Sequence, residues 1–240
     1  MNNVLSILRK ELRSYFNSPI AYIAVLFFLV FTSVWLFYIQ QFFAQNVADL
    51  RGYFAIMPLV FIILLPAITM RVWAEENKLG TVELLLTLPF REGEVVLGKF
   101  FGAFSLLLIM IMLTIPVPLT VVRTGHFEMG QIFGQYIGLV FLGGAGIAIG
   151  LFISSVSTNQ ITAFILSIVV LLFLTLINRI NAATEVGTGF AGFINYLSLD
   201  YHFQSFIKGL LDTRDLVYYL LLIIAFLYMN MKVLVFRKWR

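Results

Sequence analysis

Long apolar runs recur along this chain, and they constrain its fold more than any other feature. A helix that crosses a bilayer core of about 30 Å rises about 1.5 Å per residue, so it needs about 20 apolar residues. Between residues 129 and 178 no side chain carries a formal charge. That stretch is too long for one crossing and predicts two helices joined by a polar turn at residues 154–160. Because 61% of the residues are hydrophobic and 12% are charged, a water-soluble fold is not expected.

The sequence predicts an all-α membrane protein with six transmembrane helices, which form a single transmembrane domain over residues 1–240. The predicted spans are residues 20–39, 53–70, 100–122, 131–153, 161–177 and 216–235. Pro19 suits the first turn of the first span, where its missing N–H has no helical partner. Pro116 and Pro118 should kink or end the third span.

An amphipathic pattern precedes the first span, at residues 2–17. Apolar side chains fall on one arc of this helix and basic side chains lie opposite, which predicts a helix in the membrane interface. Glu11 is an exception because it lies inside the apolar arc. Two interpretations are open: the carboxylate bends outward to the lipid headgroups, or it makes a docking contact with a partner protein.

The basic residues predict the orientation of the chain. Six crossings put both termini on one side of the membrane. Most of the Lys and Arg residues flank the spans on that side, which predicts cytoplasmic termini by the positive-inside rule. Residues 71–99 then form a cytoplasmic segment, and residues 181–215 lie on the opposite side.

Five glycines recur at multiples of four along the fourth span. They are Gly130, Gly134, Gly138, Gly146 and Gly150. A helix face of small residues lets a second helix approach closely. The partner is either another helix of this chain or a second subunit, and neither interpretation makes the face catalytic.

Signals for chemistry by the chain itself are weak. Residues 93–99 read G-E-V-V-L-G-K, like the start of a phosphate-binding loop, but Phe100 stands where a Ser or Thr must hold Mg²⁺. We therefore interpret Lys99 as a lysine at the membrane boundary. The scarcity of ionisable residues in the spans argues against an ion-coupled carrier. The basic residues sit in short loops and not in one patch, which argues against a nucleic-acid partner.

Glu75 and Glu76 leave one enzymatic alternative open. Adjacent acids just past a span also occur in intramembrane metal-dependent proteases. Metal ligands must converge on one point, however, and both histidines, His126 and His202, are predicted on the opposite side of the membrane. An intramembrane protease is therefore only the third alternative.

The cytoplasmic segment contains the sequence E-E-N-K-L-G-T-V-E-L-L-L-T-L-P. Its residues 83–88 predict a short helix whose leucines would be costly to leave in water. We expect this helix to dock in a groove of another protein.

Two segments carry a resemblance to a known family. Residues 76–89 resemble the E-x-x-x-G-T-x-E-x-L-L-x-x-P pattern of the type-2 ABC (ATP-binding cassette) exporter permeases, where it forms the coupling element between the second and third spans. Residues 202–215 read H-F-Q-S-F-I-K-G-L-L-D-T-R-D and resemble the segment before the last span of GldF-type gliding-motility permeases.

The resemblance implies a fold, partners and an activity. Two six-helix permease subunits would bind two cytoplasmic ABC ATPase subunits at a bacterial cytoplasmic (inner) membrane and export an unidentified substrate. The second permease subunit would be an identical chain or a GldG-like membrane partner. This chain would be no enzyme and would bind no cofactor, because ATP and Mg²⁺ would sit on the ATPase. The alternative is an ATP-driven motility or envelope-assembly complex that translocates no solute.

The resemblance also implies the functional residues. Those expected to couple to the ATPase are Glu76, Gly80, Thr81, Val82, Glu83, Leu84, Leu85 and Pro89. The partner in the docking contact considered for Glu11 would be the same ATPase. Residues 181–215 resemble the short re-entrant helices of these exporters, which would cap the exit of the path; a simple interfacial hairpin is the alternative. The residues expected to line that exit are Tyr196, Tyr201, His202 and Phe206.

Overall fold

The computed structural model describes residues 2–42, 49–82, 90–122, 128–184, 192 and 194–238. Helices occupy most of these residues, and no strand occurs among them. The helices are α1 (Asn2–Phe16), α2 (Pro19–Val34), α3 (Arg51–Ala55), α4 (Met57–Leu79), α5 (Glu92–Thr114), α6 (Pro116–Val122), α7 (Met129–Val156), α8 (Gln160–Thr184), α9 (Leu199–Ile207) and α10 (Thr213–Lys238). A π-helical turn, Trp35–Ile39, continues α2.

Six of the helical segments are long and apolar enough to cross a membrane. They are Pro19–Ile39, Met57–Leu79, Glu92–Thr120, Met129–Val156, Gln160–Arg179 and Thr213–Phe236. Each of them contains or overlaps one predicted span. The predicted all-α membrane fold is therefore confirmed.

The second and third spans extend further than predicted. Helix α4 continues nine residues beyond residue 70, and α5 begins at Glu92, so most of residues 71–99 belongs to these two helices. The prediction stopped each span at its first charged residue. The structure continues the helices because those charges are paired: Arg71 donates a hydrogen bond to Ser18, and Lys99 contacts Glu76.

Local sequence determines where several helices begin and end. Ser18 is the N-cap of α2 and accepts a hydrogen bond from the backbone N–H of Ile20, with Pro19 in the first turn. Helix α5 ends at Thr114, and α6 begins at Pro116, as the prolines predict. The turn between α7 and α8 is shorter than predicted because residues 154–156 are still helical.

Helices α4 and α7 form the centre of the bundle. In each, 72% of the apolar membrane-crossing window is buried, against 17% in α10. Helix α7 packs against α4, α5, α8, α9 and α10. The central position of α7 follows from its small residues, which let the neighbouring helices approach closely.

The predicted glycine face of α7 packs against α4 along one part of its length, and against α9 and the residues just after α9 along another. Gly146 lies against Leu65 of α4, and Gly150 against Thr69 of α4. Nearer the start of α7, Gly134 lies against Gly209, and Gly138 against Phe206 of α9. All four therefore pack within this chain. Gly130 differs, because no atom of the described residues lies within 4 Å of the position that a Cβ would take.

Polar contacts join the end of α7 to the end of α4. The Ser154 hydroxyl donates to the carbonyl of Met70 (2.9 Å) and accepts from the N–H groups of Trp73 (3.2 Å) and Ala74 (3.1 Å). The Asn77 amide donates to the carbonyl of Ser157 at 2.8 Å. These bonds fix the last two turns of α4 on α7.

The fold predicts different outcomes for two Gly→Leu substitutions in α7. A side chain at Gly150 would overlap Thr69, whose hydroxyl is held by the carbonyl of Leu65, so Gly150→Leu should destabilise the bundle by about 1–3 kcal/mol. Gly130→Leu is the matched control, since nothing described lies beside it. The melting temperature in mild detergent, followed by size-exclusion fluorescence, should fall only for Gly150→Leu. Equal melting of the two variants would contradict the α4–α7 packing.

Candidate functional site

A buried lysine lies where three helices meet. Lys99 of α5 is only 1% exposed. Its ammonium group donates to Glu11 Oε1 at 2.9 Å, to Glu76 Oε1 at 2.8 Å and to the carbonyl of Val72 at 3.1 Å. An ammonium has three donors, and all three are used. Its Nζ also lies 4.7 Å from the centre of the Trp73 ring, a favourable cation–π position.

Helix α1 packs closely on α5 at this point. Ile7, Glu11 and Tyr15 repeat every fourth residue and are buried, so one face of α1 turns inward. Opposite them, a Cβ on Gly98 would lie 2.6 Å from the Ile7 side chain, and one on Gly102 would lie 2.7 Å from Glu11 Cβ. The glycines let α1 come close enough for Glu11 to reach Lys99.

Two further contacts connect the end of α1 to α4. The Tyr15 hydroxyl donates to the carbonyl of Ile68 at 3.1 Å. The Arg71 guanidinium donates to Ser18 Oγ at 2.6 Å and lies 5.2 Å from the Tyr15 ring centre. Burial, with a smaller contribution from nearby Glu11, raises the pKa of Tyr15, so the phenol stays a neutral donor. Helix α1 is thus joined to the bundle along its inner face.

The charges around Lys99 do not cancel within the buried cluster. The ammonium of Lys99 balances only one of the two carboxylates. The second positive charge comes from Lys10, whose Nζ lies 3.6 Å from Glu76 Oε1. The Lys10 side chain is 62% exposed, so it lies outside the buried part of the cluster. Glu76 Oε2 is buried and has no hydrogen-bond partner among the described residues. A pocket of about 200 Å³ lies beside the cluster, between α1 and α4, and its charged lining residues include Glu75, Arg71 and Lys10. The exposed Glu75 carboxylate is the acceptor that this pocket offers to an incoming basic group.

The coupling residues predicted from sequence begin with Glu76 in this cluster and continue one turn beyond it. Gly80 ends α4 with a positive φ of 69°, a conformation that favours glycine. Thr81 is exposed, and Val82 is buried. The remaining coupling residues lie outside the described residues: Glu83, Leu84, Leu85 and Pro89. The structure therefore joins Glu76 to Glu11 and Lys99 and places Gly80 to Val82 directly after them.

The interpretation of Lys99 as a lysine at the membrane boundary does not predict its burial or its ion pairs. Its carboxylate partners are 88 and 23 residues away, so local sequence does not reveal them. The acid inside the apolar arc of α1 was the one available signal. In the structure the Glu11 side chain points inward to Lys99 and not outward to headgroups; a docking contact to a partner stays a prediction.

The opposite end of the bundle carries a second polar cluster. His202 Nδ1 lies 2.6 Å from Asp215 Oδ1, and Nε2 lies 3.1 Å from the carbonyl of Tyr196. The His202 ring stacks on Tyr218 at 3.8 Å. Because the Tyr196 carbonyl only accepts hydrogen bonds, Nε2 of His202 is the donor in that contact.

The residues predicted to line an exit divide into two groups. Tyr196, Tyr201 and His202 line an open pocket of about 420 Å³. Phe206 does not line it, because its side chain is fully buried and packs against Gly138 of α7 and the Tyr219 ring. A gating role for the other three stays a prediction.

The two acids considered for a protease do not form a metal centre in the described part of the chain. Glu75 is exposed, and Glu76 is bound by Lys99 and Lys10. Nowhere in the described ranges do three His, Asp or Glu side chains converge as a metal would require.

Removing one charge from the buried cluster should be worse than removing all of them. Lys99→Met leaves two buried carboxylates without their cation, so we expect a loss of about 3–5 kcal/mol in stability. The triple variant Lys99→Met, Glu11→Gln, Glu76→Gln should regain most of this loss. Lys10→Met, at an exposed position, should cost less than about 1 kcal/mol. Melting temperatures in detergent measure all three, and a triple variant no more stable than Lys99→Met would contradict the ion cluster.

Comparison with known proteins agrees with this architecture. No curated protein matches the sequence. The family model of the ABC-2 family transporter proteins matches residues 5–237, and it does not single out the gliding-motility branch. Members of this family are multi-pass membrane subunits that are not themselves catalytic. Since the match covers nearly all of the chain and six helices can cross the membrane, the chain belongs to the ABC-2 family and is a permease subunit of an ABC transporter.

Proposed function

We propose that a separate cytoplasmic ABC ATPase drives export of a substrate through this subunit, and that the Lys99 cluster receives the movement of the ATPase. The observation that carries this proposal is the position of Lys99: it binds Glu11 of α1 and Glu76 of α4. Glu76 opens the segment that resembles the coupling element of type-2 exporters. A displacement of that segment therefore acts directly on three helices.

The contacts at the end of α4 explain how such a displacement would spread. Ser154 and Asn77 fix this end to α7, and Lys99 fixes it to α1 and α5. A shift of Gly80 and the residues after it must move these helices together, since separating them would leave buried charges unpaired. ATPase closure would thus bias the bundle between two packed arrangements.

The pocket between α1 and α4 supports a docking role for this surface. It is lined by Glu75, Glu76 and Lys10, and the Glu75 side chain is exposed. An arginine or lysine of the ATPase would bind the Glu75 carboxylate with a charge-assisted hydrogen bond. ATP and Mg²⁺ would stay on the ATPase. The second permease subunit would be an identical chain or a GldG-like partner, with both termini in the cytoplasm of a bacterial cell.

A motility or envelope-assembly complex is the second candidate function. It is supported by the resemblance of residues 202–215 to GldF-type permeases, and it uses the same ATPase contact. An extracytoplasmic partner protein that co-purifies with the complete complex, together with no substrate export in vesicles, would favour it.

The first test is purification of the tagged chain from its native membrane in mild detergent. We expect an ATPase with ABC nucleotide-binding motifs, identified by mass spectrometry, to co-purify with vanadate-sensitive activity. Glu83→Arg should reduce the recovered ATPase at least tenfold, because it places a positive charge in the proposed contact. Glu128→Arg makes the same charge change on an exposed residue before α7 and should change nothing. Recovery of the chain alone from wild-type membranes would contradict the proposed function.

Substitutions of Gly80 test whether ATP hydrolysis is coupled to the permease, separately from whether the ATPase binds to it. Its φ is positive and nothing described lies within 4 Å of its Cβ position, so Gly80→Ala acts through backbone strain of about 1–2 kcal/mol. Gly80→Asn is the matched control, since Asn tolerates this conformation. We expect Gly80→Ala to keep the ATPase bound but lower permease-stimulated ATP hydrolysis several-fold, with Gly80→Asn close to wild type. Equal activities of the two variants would show that the turn plays no part in coupling.

A further inference from the structure

The open pocket beside His202 has the chemistry of a binding site, and it lies at the opposite end of the bundle from Lys99. Helix α10 connects the two ends. It begins at Thr213 beside this pocket, and near its other end the Met231 side chain lies against Gly93, at the start of the helix that carries Lys99. The pocket measures about 420 Å³, within the range of roughly 300–1,000 Å³ for small-molecule sites.

Charges of both signs line this pocket. Lys208, Arg214 and Asp212 are exposed around it. Neither basic side chain forms an ion pair with any residue in the described ranges. Asp212 accepts a hydrogen bond from the backbone N–H of Arg214 at 2.9 Å, which holds its carboxylate at the turn. The two cations can therefore receive an anionic group, and Asp212 can receive a cationic one.

The inner wall of the pocket is formed by Asp215, His202 and two tyrosines. Asp215 is buried, and while its Oδ1 contacts His202, its Oδ2 has no hydrogen-bond partner among the described residues. Tyr196 and Tyr201 stand over His202 with ring centres 5.3 and 5.4 Å from it. Both tyrosines are partly exposed to the pocket. Aromatic faces beside carboxylates are a favourable environment for an organic ammonium group.

The residues around the pocket indicate how deep it lies relative to the lipid bilayer. Leu210 and Leu211, which separate Lys208 from Asp212, are 61% and 49% exposed. The membrane-crossing part of α10 begins at Thr213. Exposed leucines beside charged residues at the end of a crossing helix place the pocket at headgroup depth, with apolar side chains available to the acyl layer.

We propose that this pocket binds the zwitterionic headgroup of a phospholipid, with the phosphate between Lys208 and Arg214 and a primary ammonium group at Asp212 and the two tyrosines. Phosphatidylethanolamine carries both groups. The site is independent of the ATPase contact, because none of its residues belongs to the Lys99 cluster. A bound headgroup would hold the α9–α10 turn at the membrane surface.

Native mass spectrometry of the delipidated, detergent-purified chain tests this site. Titration with phosphatidylethanolamine should show one tight adduct, and phosphatidylglycerol, which lacks the ammonium, should bind more weakly. The double variant Lys208→Ala, Arg214→Ala should weaken the phosphatidylethanolamine adduct about tenfold or more. Asp212→Ala should remove the preference for phosphatidylethanolamine. Arg51→Ala is the matched control, since Arg51 is another exposed basic residue that precedes a membrane-crossing helix, and should leave binding unchanged.

Three outcomes would overturn the proposal. The first is equal binding of the two lipids by the wild type. The second is unchanged binding by the double variant at an unchanged melting temperature. The third is competition by soluble glycerophosphoethanolamine at the same concentration as the lipid, which would assign the site to a soluble ligand. No competition at that concentration, with loss in the double variant, supports the lipid.

Discussion

The structure depends on the burial of one ammonium group. At 1% exposure, Lys99 cannot be hydrated, and a buried charge is tolerated only when it is paired and hydrogen-bonded. Its partners come from α1 and α4. This pairing requires α1 to pack against the bundle, and it requires α4 to continue as a helix beyond its apolar residues. The small residues Gly98 and Gly102 are needed for the same reason, because a larger side chain would keep Glu11 away.

Helix α7 organises the rest of the bundle through small side chains. Its glycines admit Leu65 and Thr69 of α4 on one part of the helix and α9 on another. Its terminal serine bonds to the α4 backbone. Because the hydrophobic effect does not drive helices together within lipid, close van der Waals contacts and hydrogen bonds between helices stabilise such a bundle. Helices α8 and α10 lie at its periphery, where 22% and 17% of their membrane-crossing windows are buried.

The sequence was sufficient for the six spans, because about 20 apolar residues have few alternatives to a membrane-crossing helix. It also located the start of α2 at Pro19 and the interruption at Pro116, since prolines act locally. It did not predict the burial of Lys99, because local context indicates a boundary lysine and only the distant Glu11 and Glu76 explain the burial. The same limit applies to the glycines of α7: their spacing shows a common face, but Gly130 has the spacing without a contact to any described residue outside its own helix.

Ser154 bonds to the backbone of a neighbouring helix. Its hydroxyl accepts from the N–H groups of Trp73 and Ala74 and donates to the carbonyl of Met70, although α4 runs without a break from Met57 to Leu79. Ser154 is fully buried, so a shift of α4 along α7 at this point would leave its hydroxyl without partners in a place that water does not reach. The cost of such a shift means that the ends of α4 and α7 form one mechanical unit, and any movement within the bundle must occur at its borders with the other helices.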